Sequence, residues 1–165
     1  MMDSLFLKCL EDRVLVVDGA MGTSVYAREL SLDSDYRGCE NCPEIITESR
    51  PDVIEEIHDS FLKIGADCIE TNTFGANKIV LSEFDLTDQT YALNRKSAEI
   101  ARRSADKFTK PDAPRFVLGS MGPGTKLPSL GHTTFDVLED SYAEQARGLL
   151  DGGIDVLIIE TCQDI

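Results

Sequence analysis

A chain of 165 residues, 42% of them apolar and 28% charged, has the length and composition of one folded domain with a real core, and no stretch is biased enough to be disordered. Thirty acidic against sixteen basic side chains give a formal net charge of -14, which repels nucleic-acid phosphates and anionic lipid and so excludes both as partners. No run approaches the roughly 18 apolar residues of a membrane helix, and five cysteines, an odd number, argue against a secreted disulfide framework, so a cytoplasmic protein with reduced thiols is expected.

Residues 1–12 carry a short apolar run broken by charges, with no small-residue cleavage site after it, and read as a helical lead-in rather than a signal peptide. The remainder, 13–165, reads as one unit. Its first apolar run, VLVVDGAMG at 14–22, breaks into small and polar residues in the manner of a strand buried on both faces of a parallel sheet. A long connection follows and contains RGCENCPE, whose Cys39 and Cys42 have the spacing of a metal clip or a redox pair. No strand precedes that pair and no helix begins within its turn, so a thioredoxin-type motif does not fit. A metal shared by Cys39, Cys42 and Cys162 would still need a fourth ligand.

Pro51 then opens a helix. Val53, Ile57, Phe61 and Ile64 recur at helical spacing along it, and Gly65 caps it. The run DCIETNTFG at 67–75 is a second strand, and 90–108 is an unbroken helix with Leu93, Ser97, Ile100, Ala101 and Ala105 on one face. RFVLGSMGPG at 115–124 is a third strand. The helix at 133–153 opens with Thr133 and Asp136 in capping-box spacing, turns Leu138, Tyr142 and Leu149 inward and closes on Gly152 and Gly153. DVLIIETC at 155–162 is the fourth strand.

The order β-α-β-α-β-α-β gives a parallel sheet with helices outside it. IGADCIET and GGIDVLIIET echo each other, and repeated βα units are what a (β/α)8 barrel is made from. Four strands cannot close that barrel, so the expected fold class is α/β, the first four βα units of a (β/α)8 TIM barrel. The alternative is a small open flavodoxin-like sheet.

Ligands of parallel α/β folds sit at the carboxyl ends of the strands. Asp18, Glu70 and Glu160 end otherwise apolar runs there, and a buried carboxylate costs several kcal/mol, roughly, without a compensating partner. Each could accept backbone or threonine hydrogen bonds, or the three could hold a cationic group such as an ammonium. The turns DGAMGT and GSMGPG could bring backbone amides against a ligand or be plain tight turns, and neither has Walker or dinucleotide-site spacing. His58, mid-helix among charges, and His132, in a loop, lack a nucleophile partner and read as solvated or capping residues.

LVVDGAMGTSV, RPDVIEEIHDSFLKIGADCIETNTFGAN, LGSMGPGTK and GGIDVLIIETCQD, in that order, resemble the homocysteine-binding barrel of the homocysteine S-methyltransferase family, in particular its cobalamin-dependent, methionine-forming branch. The resemblance implies methyl transfer to the thiol of homocysteine, with zinc on three cysteine thiolates and, through other domains, cobalamin or methyltetrahydrofolate. By position, Asp18 and Glu160 match the carboxylates that hold the homocysteine amino group, and Gly19 and Ala20 match the turn that meets its carboxylate. Glu70, Thr71, Asn72 and Phe74 match the motif lining the pocket, and Ser120 stands in the corresponding third-strand turn. The family's zinc cysteines, one in an Asn-Cys motif and two in a Gly-Gly-Cys-Cys motif, are absent, so no catalytic or metal residue is assigned and the chain alone is expected to be inactive. Cys39 fits a recurrent Gly-Cys loop position, which makes Cys42 a coincidence of spacing. The competing reading is a non-catalytic binding module that self-associates through open sheet edges.

Overall fold

Three of the four apolar runs become strands, β1 (Cys68–Glu70), β2 (Phe116–Met121) and β3 (Val156–Ile159), paired in parallel in that order, in a computed structural model that describes residues 4–162. Cys68 stands opposite Phe116, and Leu118 opposite Val156. The expected first strand is reduced to one parallel bridge between Val17 and Cys68. Its neighbour lies on one side only among the described residues, which leaves Val14 84% and Val16 57% exposed, and the chain turns away within a few residues.

The helices are α1 (Leu5–Asp12), α2 (Met21–Tyr26), α3 (Ile46–Ser49), α4 (Pro51–Ile64), α5 (Lys78–Leu81), α6 (Thr90–Phe108) and α7 (Phe135–Asp151). None is long and apolar enough to cross a membrane. Strand alternation sends Ile69 and Val117 to one face, against Leu62, Ala101 and Ala105 of α4 and α6. Cys68, Phe116 and Leu118 take the other face with Leu15, Val156 and Ile158, where α1 delivers Phe6 edge-on to Phe116 at 5.2 Å.

α4 begins at Pro51 and ends at Gly65, whose φ of 111° only glycine adopts freely, as the sequence predicts. Its buried face differs from the expected one. Val53, Ile54, Ile57, His58 and Leu62 are buried, while Ile64 is 81% exposed at the helix end. His58, expected in solvent, is fully buried with neither ring nitrogen hydrogen-bonded. α6 buries all five residues of its predicted face. α7 is capped by Thr134, one residue after the expected Thr133, through Val137 N at 3.4 Å. The long connection before α4 is core rather than surface loop: Val25, Tyr36, Cys42, Ile45 and Ile46 pack with Ile54, Ile57 and Leu93.

The sequence echo has a structural counterpart. Asp67, just before β1, donates its N–H to Val16 O (2.8 Å) and accepts Val16 N on its carboxylate (2.9 Å). Asp155, just before β3, does the same to Val117, at 2.9 and 2.7 Å. Arginines back both carboxylates, Arg13 and Arg115 on Asp67 and Arg102 on Asp155.

Candidate functional site

A cavity of about 280 Å³ opens where the strands end. Ala20, Met21 and Gly22 supply one wall, Pro43 and Glu44 a second, the stretch from Glu70 to Phe74 a third, and Ser120 and Glu160 the last. Of the expected site residues, Ala20, Glu70, Thr71, Asn72, Phe74, Ser120 and Glu160 are thus brought together. Asp18 and Gly19 are not in the lining.

Asp18 instead ties the first run to β1, its Oδ1 accepting from Glu70 N at 2.9 Å. Burial, only partly offset by that amide, pushes its carboxyl up to about 7, with the Glu70 charge adding to the effect. The Glu70 carboxyl is also raised, first by burial and then by Glu160 nearby. Glu160 accepts a hydrogen bond from Ser120 Oγ at 2.5 Å. Glu70 and Glu160 therefore face one cavity, and among the described residues no Lys, Arg or His side chain pairs with either, an arrangement that favours a positively charged ligand group.

The floor is a lattice of hydroxyls. Thr73 Oγ1 donates to Ser120 O at 2.7 Å, so the 2.6 Å contact between Thr71 and Thr73 has Thr71 as donor, which leaves Thr71 Oγ1 to accept from Ser120 N at 3.0 Å. Gln145 of α7 braces Thr73 O from below at 2.8 Å. The Asn72 amide group is spent on Pro43 O (2.8 Å) and Thr47 Oγ1 (3.2 Å), which makes it a fastener rather than a free donor. Phe74 is 45% exposed and lies on Gly122, where a Cβ would come within 2.9 Å of its ring. Ala20, the residue just before α2, lies in the left-handed region at φ 55°, a conformation that costs an alanine energy and is found at ligand-contacting turns.

Pro43 and Glu44 line the cavity without having been predicted, and Met21, Gly22 and Thr73, which lie within the expected strand-end turns, line it without having been singled out. The Thr71-x-Thr73 spacing could have flagged Thr73, since alternate residues of an extended segment share a side. Nothing local flags Glu44.

Cys42, read as coincidence, is fully buried with its thiol toward Glu44 Oε2 at 3.6 Å, while Cys39 is half-buried. Burial first, then the Glu44 charge, pushes the Cys42 thiol up to about 12, opposite to what a metal thiolate requires. Among the described residues no three His, Cys, Asp or Glu side chains form a metal-holding group, and the Cys39, Cys42 and Cys162 site has no support.

Residues 15–165 match the sequence model of the homocysteine S-methyltransferase family. The chain belongs to that family. The chain is 53% identical over 163 residues to methionine synthase of Mycobacterium tuberculosis, a match covering 99% of the chain and 14% of that protein. It is likewise 53% identical over 163 residues to methionine synthase of Mycobacterium leprae, spanning 13% of its length. Its fold superposes on the homocysteine methyltransferase MmuM from Escherichia coli, oxidized form, with a TM-score of 0.75 and 25% identity, covering 96% of this chain and 57% of that one. The metallated form gives the same TM-score at 24% identity.

Proposed function

We propose that this chain supplies the homocysteine-binding half of a (β/α)8 barrel that transfers a methyl group to the homocysteine sulfur. In that reading Val14–Val17 is the first of four barrel strands, residues 1–12 are a lead-in and 13–165 the half-barrel. The observation that carries it is the cavity at the strand ends lined by both Glu70 and Glu160, with no side-chain cation paired to either among the described residues. An ammonium there neutralises carboxylates that burial otherwise penalises. Glu160, oriented by Ser120, is positioned to accept from it, and Asp18 completes the set on rotating toward the cavity. The Gly19–Ala20 backbone faces the substrate carboxylate, and Phe74 shields the thiol-bearing end.

The overall change forms a sulfur–carbon bond, releases the thiol proton and leaves the donor without its methyl. Zinc activation of the thiol, which the family resemblance implies, finds no fitting ligand set among the described residues, so no step is placed on it. The metal and the methyl donor, including any cobalamin or methyltetrahydrofolate, belong to other segments, and the chain alone binds without turnover.

Calorimetric titration of the chain with L-homocysteine tests this. Binding is expected, lost on N-acetylation of the ligand and weakened about tenfold or more by Glu160→Gln or Asp18→Asn. Affinity indifferent to acetylation and to both variants would overturn it. The second reading, a module that self-associates, is favoured by the exposed apolar flanks of the sheet, Val14 and Val16 on one side and Ile159, 72% exposed, on the other.

A further inference from the structure

Glu44 is 5% exposed, and the donors that reach its carboxylate from other residues are neutral: Gly75 N–H to Oε1 at 2.7 Å and the Cys42 thiol to Oε2 at 3.6 Å. A carboxylate this buried is costly unless the fold uses it. The same loop receives the Asn72 amide on Pro43 O, while the other side of the 72–75 turn is held by Gly122 N donating to Phe74 O at 3.0 Å. At Gly75 a Cβ would stand 2.7 Å from Glu44 Oε1, so a larger residue there would push the carboxylate away from the amide. Glu44 also lines a second cavity of about 260 Å³, beside Tyr26, Val80 and Thr125, which places it in the partition between the two.

We infer that Glu44 is a positioning residue of the substrate cavity: its carboxylate fastens the Cys42–Glu44 loop to the Asn72–Gly75 turn and so fixes the wall that presents Asn72 and Phe74. Its role in binding rests on the homocysteine reading above; the fastening itself does not. Burial raises the Glu44 carboxyl, with its own and the Gly75 amide and the Cys42 thiol pulling the other way. The titratable groups facing it are Cys42 and, from α2, Tyr26, with Tyr36 and Cys39 behind them, and Glu70 and Glu160 across the cavity.

The test is nuclear magnetic resonance of the full chain followed by homocysteine titration. The Gly75 amide proton of the wild type is expected to titrate with a midpoint above the ordinary glutamate value of about 4.3, and Glu44→Gln abolishes that step. Glu44→Gln retains an acceptor for Gly75 and keeps homocysteine affinity within about threefold at neutral pH, whereas Glu44→Ala moves the Phe74 ring resonances and weakens binding about tenfold or more. As pH falls through the Glu44 titration, wild-type affinity converges on that of Glu44→Gln, dropping further than the variant's by no more than the same threefold, while the loss of the Gly75 titration step in Glu44→Gln isolates Glu44 from Glu70, Glu160 and Asp18 and decides the matter if the alanine variant does not fold. A Gly75 amide indifferent to Glu44, or Phe74 resonances unchanged in Glu44→Ala, overturns the inference. A wild type in which Gly75 titrates but homocysteine does not bind supports the fastening and sinks the homocysteine reading.

Discussion

At the scale of the residue, His58 shows how a position can be misread from its neighbours. Glu55, Glu56 and Asp59 surround it in sequence and suggest solvent, yet it stands four residues from Ile54 and four from Leu62, both buried, so the helical spacing already placed it inside. Burial lowers its pKa from 6.5 to about 4, against the raising effect of Asp59 and Glu55. The folded state therefore holds the neutral ring, and the stability this gives is complete above 6.5 and lost as pH falls toward 4. Between pH 7 and 5 the loss is about 2 kcal/mol. Denaturant titrations of His58→Leu should show no penalty at pH 7, since the ring makes no hydrogen bond, and a flatter acid limb. A parallel loss in both proteins would place the acid sensitivity elsewhere.

At the scale of the element, the α6–α7 pair sets helix propensity against packing. Gly148 lies inside α7, where alanine is favoured by roughly 0.5–1 kcal/mol. A Cβ there would stand 2.6 Å from Tyr91 O and 2.9 Å from Asn94 Cβ, and overpacking costs about 1–3 kcal/mol. Gly148→Ala is thus expected to destabilise by about 1–2 kcal/mol in thermal or denaturant unfolding, and a stabilised variant would show that the helices part without cost. Helices α4 and α6 were legible because their signals are local: a proline start and glycine stop in one, an unbroken small-residue face in the other. The first apolar run forms a single bridge rather than a ladder because strand pairing depends on a lateral neighbour, which no periodicity contains. Glu44 was missed for a like reason, its partner Gly75 being 31 residues away.

At the scale of the whole molecule, charge and apolar surface pull in opposite directions. A net charge of -14 holds copies apart, while Val14, Val16 and Ile159 invite contact at the two flanks of the sheet. Salt that shortens the screening length from about 30 Å at 0.01 M to about 3 Å at 1 M should therefore promote association. Sedimentation velocity is expected to show mass rising with salt, and Ile159→Lys to suppress it. Association that weakens with salt would point to charge pairing instead. The parallel βα order was readable because each run announces its own burial; which carboxylates reach the cavity was not, since Asp18 turns to an amide that only the assembled sheet supplies.

The paired aspartates at the other end of the sheet reach the cavity through length. Asp67 grips Val16, and Glu70 follows three residues later, about 10 Å along an extended chain; Asp155 grips Val117, and Glu160 follows five later, about 16 Å. The grips act as datum points from which each acidic group is measured out. Exchanging an apolar residue between datum and carboxylate leaves that measure intact, but inserting or deleting one shifts the carboxylate by about 3.3 Å and turns it to the opposite face. These two intervals should accept substitution and refuse any change in count.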